Sequence, residues 1–214
     1  MTVETNLLLI LGAGRLAEEV AEIIADIADG TVAGFVEGID RNRSVDNQYD
    51  IPIHWIDDIE SLAATHRAVA AIGDPARRGD IVKMEEMGFQ FTTLIHPSTH
   101  LAGNVRCGVG SVIGPGAVLG AAVSVGRHVY INRGALIGHH TRVGDYCTIG
   151  PGVNIAGGCA IGSGSFIGIG ATFVDGIILG PDSFVAAGSL VARSFPDGAR
   201  IRGHPAKPMP APSR

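Results

Sequence analysis

From Ile95 to Val191 an apolar residue falls at every sixth position without a break. The series runs Ile95, Leu101, Cys107, Ile113, Leu119, Val125, Ile131, Ile137, Val143, Ile149, Ile155, Ile161, Ile167, Phe173, Leu179, Val185 and Val191. Only Cys107 and Phe173 among these seventeen anchors are not branched aliphatics. Four places after each anchor stands Ser, Thr, Ala, Val or Cys, with Ile177 and Phe195 the exceptions; one place after it, glycine stands in ten of the seventeen. An α-helix repeats every 3.6 residues and a plain strand every two. A period of six therefore requires short strands turning at regular corners, the hexapeptide β-helix repeat. Three hexads make one triangular coil, so each residue lies over the one eighteen positions earlier. At the usual strand spacing, just under six coils form a prism about 25–30 Å long. The anchors are expected to fill its interior, with glycines where a corner needs positive φ. No hexad is interrupted, so no long loop is expected to project.

The first 94 residues follow a different rule. Asn6–Leu11 reads as a strand running into Gly12-Ala13-Gly14-Arg15-Leu16-Ala17, with a helix to about Asp29. Thr31–Val36 reads as a second strand ending at Glu37, Ile59–Thr65 as a short helix, and Val69–Ile72 as a third strand ending at Gly73-Asp74. Asp74 is placed to cap the next helix, with Pro75 at its first position and an end near Gly88. Phe91–Ile95 reads as a fourth strand leading into the prism. This alternation is that of a small Rossmann-type parallel sheet. The expected organisation is an α/β Rossmann-like domain over 1–94, a parallel β-helix over 95–203 and a tail over 204–214.

Glycines in the GxGxxA turn allow a phosphate to approach a helix N-terminus, and Glu37 stands where a ribose hydroxyl would be held. About ninety residues make only half a dinucleotide fold, so a mononucleotide or nucleotide-sugar fits better than NAD. The plain alternative is that the glycines only tighten the strand–helix turn.

Charge divides unevenly. Residues 1–94 hold 17 acids and 7 bases, a balance of −10, whereas residues 95–214 hold 4 acids and 9 bases, a balance of +5. A basic prism suits an anionic small ligand, although charge can also partition by fold alone. The bases are scattered and only Lys83 and Lys207 are lysines, which argues against nucleic acid. The apolar run Leu7–Leu11 is too short for an export signal or a membrane span, so a cytoplasmic protein is expected. Cys107, Cys147 and Cys159 fall on interior positions without CxxC spacing and read as small buried hydrophobes.

Chemistry concentrates in Gly138-His139-His140-Thr141-Arg142. These histidines lie two and three places after an anchor, where side chains face outward, and Gly157 lies one coil above His139. An imidazole there can act as a general base near neutral pH. Three histidines converging on zinc would make a metal enzyme on this scaffold, but His139 and His140 are adjacent and no third is in register, so no metal is expected.

Together these segments resemble the bacterial sugar-nucleotide acyltransferases. That group includes UDP-4-amino-sugar and perosamine N-acetyltransferases and sialic acid O-acetyltransferase-like proteins. The resemblance spans Leu7 to Pro208. It is carried by Ile131-Asn132-Arg133-Gly134-Ala135 with His139, by Ile149-Gly150-Pro151-Gly152 and by Ala156-Gly157-Gly158. Further matches are Phe166-Ile167-Gly168-Ile169-Gly170-Ala171, Gly203-His204-Pro205-Ala206-Lys207, Gly12-Ala13-Gly14, and Ala71-Ile72-Gly73-Asp74 with Arg77 and Arg78. It implies a left-handed coil and a homotrimer that uses acetyl-CoA between adjacent prisms. His139 matches the general base and Asn132 a residue lining the site, with His140 beside them. Gly157, Ile169 and Ala187 match contacts to the CoA arm. A nucleotide-sugar would rest on Gly12, Gly14, Arg15 and Leu16, near Glu37 and Gly73. The reaction implied is direct acetyl transfer to a sugar amine; O-acetylation, or binding without catalysis, are the alternatives. The chain departs from the pattern at His140, where relatives usually carry a carboxylate, at Thr148, where they often carry a second histidine, and in the Gly-Ala-Gly-Arg-Leu-Ala turn.

Overall fold

A computed structural model describes residues 6–28, 30–41 and 51–210. Strands β1 (Leu7–Leu11), β2 (Thr31–Glu37), β3 (Ile53–Trp55), β4 (Arg67–Ala70) and β5 (Gln90–Phe91) form one parallel sheet in the order β3-β2-β1-β4-β5. Helix α1 (Arg15–Ile27) packs Ala17, Val20, Ala21, Ile23 and Ile24 on one face of the sheet, while α2 (Arg78–Glu86) lies with Ile81 and Met84 in the cluster on the other. Asp74 caps the turn that precedes α2, its carboxylate accepting from Ala76 N at 3.0 Å. The expected helix end at Asp29 lies outside the described residues.

Three readings are corrected. Strand β3 is present where no strand is expected. Ile59–Thr65 is no α-helix: two 3-10 turns, Ile56–Asp58 and Glu60–Leu62, fill this stretch, which is too short to repay helix nucleation and is held instead by buried Ile56 and Ile59. Phe91–Ile95 is not one strand either. Gln90–Phe91 pairs with β4, and Leu94–Ile95 already pairs with Val112–Ile113 as the first rung of the prism.

The prism is a left-handed parallel β-helix with three faces. Every two-residue strand pairs with the one eighteen residues on, as Tyr130–Ile131 does with Thr148–Ile149 and Ile137 with Ile155. In chain order, face one begins with Leu94–Ile95, face two with His100–Leu101 and face three with Arg106–Cys107. From Ile113 to Val191 every anchor is buried and belongs to one continuous core. The first coil departs from this: Ile95 is 36% exposed, and Leu101 and Cys107 are only partly covered, because no coil lies beyond them. Cys147 and Cys159 are buried as expected, and burial raises both thiols, Cys147 to about 12.

Glycine serves the corners in two separate ways. Three places after the anchor, φ is positive: Gly116, Gly134, Gly152 and Gly170 lie between +62° and +66°. One place after the anchor the constraint is different. A Cβ on Gly138 would lie 2.5 Å from Ala156 C, and one on Gly162 would lie 2.5 Å from Gly180 C. There the backbone of the next coil leaves no room, so the frequent glycine after the anchor reflects close stacking rather than positive φ.

The domains meet on face one. Leu94, Val112 and Tyr130 join the apolar cluster under α1, and Tyr146 packs against the cluster at α2. Ion pairs cross the seam, Arg133–Glu19 at 3.1 Å, Arg78–Asp182 at 2.7 Å and Arg127 with Glu85, and His96 Nε2 meets Asp26 Oδ2 at 2.9 Å. Part of the opposite charge of the two halves is thus spent between them. Such partly exposed pairs each contribute about 0–1 kcal/mol, so the buried apolar seam dominates.

Replacing Gly162 by Ala is expected to destabilise by about 3 kcal/mol or more, since backbone must move. Gly116→Ala meets nothing within 4 Å and is expected to cost about 1–2 kcal/mol through positive φ alone. Urea denaturation of both variants measures the difference.

Candidate active site

Face one and the corner that follows it enclose a cleft of about 400 Å³ against the N-terminal domain. Leu16, from the first turn of α1, and Gly73, after β4, line it from one side. Asn132, Ile169 and Ala187 line it from the prism, with Tyr130, Thr148, Phe166 and Phe184 as its floor. Two residues expected near a nucleotide-sugar therefore meet Asn132, expected to line the site, and Ile169 and Ala187, two of those expected along the CoA arm. The walls are mainly apolar. The Phe166 and Phe184 rings stack 5.5 Å apart, and the Arg200 guanidinium lies 4.6 Å over Phe184. Tyr130, Phe166 and Phe184 escaped sequence reasoning, yet each stands one place before an anchor at eighteen-residue multiples of the others. Tracking that outward position through the repeat would have exposed the aromatic floor.

The glycine turn divides in two. Gly12, at φ +120°, is held close to the end of β4: a Cβ there would lie 2.8 Å from Ala71 O. At Gly12 the plain reading, a tightened turn, suffices. Gly14 has nothing within 4 Å of a built Cβ, and Arg15 is exposed. Glu37 closes the end of β2. It is 3% exposed, and its carboxylate accepts from Gly38 N at 2.9 Å and Ile39 N at 2.7 Å, fixing the turn after β2.

His139 and His140 lie elsewhere, at the corner between faces two and three, and neither lines the cleft. Both are exposed. The His139 ring covers Gly157, where a Cβ would come within 2.6 Å of its Cε1. The space left by that glycine is thus filled by the imidazole and is not an open groove. His139 Nδ1 and His140 Nδ1 are 3.1 Å apart, with the rings nearly perpendicular. Two lone pairs cannot face each other at hydrogen-bond distance, so one of these nitrogens carries the proton. His140 stands at the corner position usually given to glycine, with φ +59°. Ala122, His128, Tyr146 and Asp182 hold the same corner position at similar φ.

The remaining histidines have other surroundings. His128 is buried at the corner between faces three and one. It stacks on Tyr146 at 5.4 Å and bonds Glu85 Oε1 through Nε2 at 3.1 Å. His54, His66 and His96 are half-buried, and His100 and His204 exposed. Among the described residues, no three His, Cys, Asp or Glu side chains converge to hold a metal ion, and no helix is long and apolar enough to cross a membrane.

Residues 7–84 match the PglD N-terminal domain, and residues 122–157 the bacterial transferase hexapeptide (six repeats). A histidine-to-asparagine variant of perosamine N-acetyltransferase from Caulobacter crescentus, in complex with CoA and GDP-perosamine, is 32% identical; 95% of this chain and 97% of that one are covered, with a TM-score of 0.87. This chain belongs to the sugar-nucleotide acyltransferases. The acetyltransferase domain of PglB from Neisseria gonorrhoeae, in complex with acetyl coenzyme A, is similar at 27% identity, covering 96% of this chain and 100% of that chain, with a TM-score of 0.88. WeeI from Acinetobacter baumannii is 25% identical over 96% and 100% of the two chains, with a TM-score of 0.86. Curated protein sequences give no match.

Burial holds the His128 imidazole below its usual value, outweighing the pull of Glu85. The unfolded chain therefore takes up a proton that the folded chain refuses. Stability is expected to fall as pH drops below about 6.5 and to level off above it. His128→Asn, a residue that tolerates the local φ of +53°, is expected to flatten this acid limb in urea midpoints measured from pH 5 to 8.

Proposed function

We propose that the protein transfers an acetyl group from acetyl-CoA to the amino group of a nucleotide-linked sugar. The observation that carries this reading is the cleft in which Leu16 and Gly73 face Asn132, Ile169 and Ala187. It joins the nucleotide end of a parallel sheet to a prism corner, so one ligand from each side can meet there. In the related complexes, perosamine N-acetyltransferase holds CoA and GDP-perosamine, and PglB holds acetyl coenzyme A.

The cleft of one protomer contains no histidine, whereas His139 stands on the next corner. Between the two corners lies face two, whose outward Val118 and Leu136 are 39% and 43% exposed. Burying that face against further copies would bring the His139 corner of one prism to the cleft of its neighbour, which suits a homotrimer. In that arrangement the sugar amine attacks the thioester carbonyl. His139 Nε2 takes the amine proton, the C–S bond breaks, and the imidazolium returns the proton to the leaving thiolate. His139 can keep Nε2 free for this only if its own proton sits on Nδ1. The Nδ1 of His140, 3.1 Å away, accepts that proton and so fixes tautomer and ring orientation. In this role His140 positions the base without adding the negative charge a carboxylate would bring.

Release of CoA thiol with GDP-perosamine or a UDP-linked 4-amino sugar as acceptor tests the reading. Turnover with an amine but not with the corresponding hydroxyl sugar is expected; preference for the hydroxyl would move the reading to O-acetylation. His139→Ala is expected to lower kcat about 10²–10⁴-fold, and an undiminished rate would remove it from the role of base. His140→Ala is expected to cost about 10–100-fold, with part recovered by His140→Asn, which tolerates positive φ and offers an acceptor oxygen. Mixed assembly of inactive His139→Ala and Asn132→Ala chains is expected to restore about a quarter of wild-type activity if two subunits complete each site.

A further inference from the structure

Tyr130 is the unusual group in the cleft. It stands one place before the anchor Ile131 on face one and is 4% exposed. Its ring is packed under α1 with Leu94 and Val112, in the apolar seam between the domains. Its hydroxyl is buried and has no hydrogen-bond partner among the described residues. Burial and the nearby Glu19 hold the phenol well above its usual range, so it stays neutral at any working pH and can act only as a hydrogen-bonding group. A phenylalanine would fill the same seam without leaving a polar atom unsatisfied. Folding alone therefore gives no reason for the oxygen, and a buried polar group without a partner is a candidate for one supplied by a ligand.

The surroundings define that ligand. Tyr130 lines the cleft between Leu16, on the first turn of α1, and Asn132, at the prism corner. Leu16, Phe166, Ile169 and Phe184 around it are apolar, and Tyr130 lies beside Thr148 in the strand ladder. A nucleotide lying on the α1 turn would bring its sugar into the cleft that Tyr130 lines. The thioester arm, entering along Ile169 and Ala187, would approach from the other side of Asn132.

We infer that the Tyr130 hydroxyl hydrogen-bonds a ring hydroxyl or ring oxygen of the acceptor sugar, making Tyr130 a substrate-specificity residue of this chain. This rests on the sugar-nucleotide reading above. The apolar walls leave few partners for sugar hydroxyls, so the ligand favoured is a sugar bearing few of them, anchored at Tyr130.

The test is calorimetric binding of GDP-perosamine, a UDP-linked 4-amino sugar, GDP, UDP and acetyl-CoA to wild type and to Tyr130→Phe. The variant is expected to melt at or above the wild-type temperature. Its affinity for whichever sugar nucleotide the wild type prefers is expected to fall about 5–20-fold, the loss of one hydrogen bond, with the parent nucleotide and acetyl-CoA unaffected. An unchanged sugar-nucleotide affinity overturns the inference while leaving the sugar-nucleotide reading intact. A loss confined to acetyl-CoA also overturns it, by giving the hydroxyl to the thioester arm. A wild type that binds acetyl-CoA but none of the four nucleotide ligands overturns the acceptor reading and this inference with it. Tyr130→Leu separates ring from oxygen: it is expected to lower the melting temperature, which Tyr130→Phe leaves intact.

Discussion

The backbone ladder between successive coils is the constraint on which the rest depends. Gly138 N donates to Ile155 O at 2.7 Å, Gly150 N to Ile167 O at 2.8 Å and Gly168 N to Val185 O at 2.8 Å. The same bond recurs at the other faces. It holds each coil so near the next that no side chain fits at several positions just after the anchors, while from Gly110 to Gly188 the corners turn through positive φ three places after them. Outward-facing side chains are left with the outward strand position and the corner itself. Tyr130, Phe166 and Phe184 use the first, and Asn132, His139 and His140 the second.

The N-terminal domain adds what the prism cannot supply. Its sheet places the α1 turn and the end of β4 beside face one, and the seam buries Leu94, Val112 and Tyr130 together with Val20 and Ile24. The cleft exists because this domain covers only part of face one. The corner carrying His139 is left uncovered, so cleft and imidazole pair stand on different edges of one protomer.

Much of this was legible in the residues. The period of six gave the eighteen-residue register because backbone stacking leaves a strict, repeated trace in the side chains. The parallel sheet was legible in outline, but β3 and the 3-10 turns were not, since short irregular segments are fixed by tertiary contacts such as those of Ile56 and Ile59. The outward corner placement of His139 could be read from the hexad, while the contact between its Nδ1 and that of His140 depends on ring orientations that spacing does not encode. An acid after a second strand suits a ribose as well as it suits the turn N–H groups that Glu37 meets, and spacing alone does not show the latter. Tyr130 was overlooked because a tyrosine before an anchor looks like any outward strand residue until a second domain packs over it.

The left-handed corner at His140 has a consequence for how such a site can change. Its neighbours along the prism's edge share the conformation: Ala122 at φ +60° one coil before, then Gly158 at φ +66° and Gly176 at φ +69°. Only a narrow set of side chains tolerates that backbone, with asparagine, aspartate and histidine the most at ease. The residue beside His139 is thus drawn from a short alphabet set by geometry. A lineage that exchanges a carboxylate for an imidazole here moves within that alphabet and leaves the coil's stacking untouched.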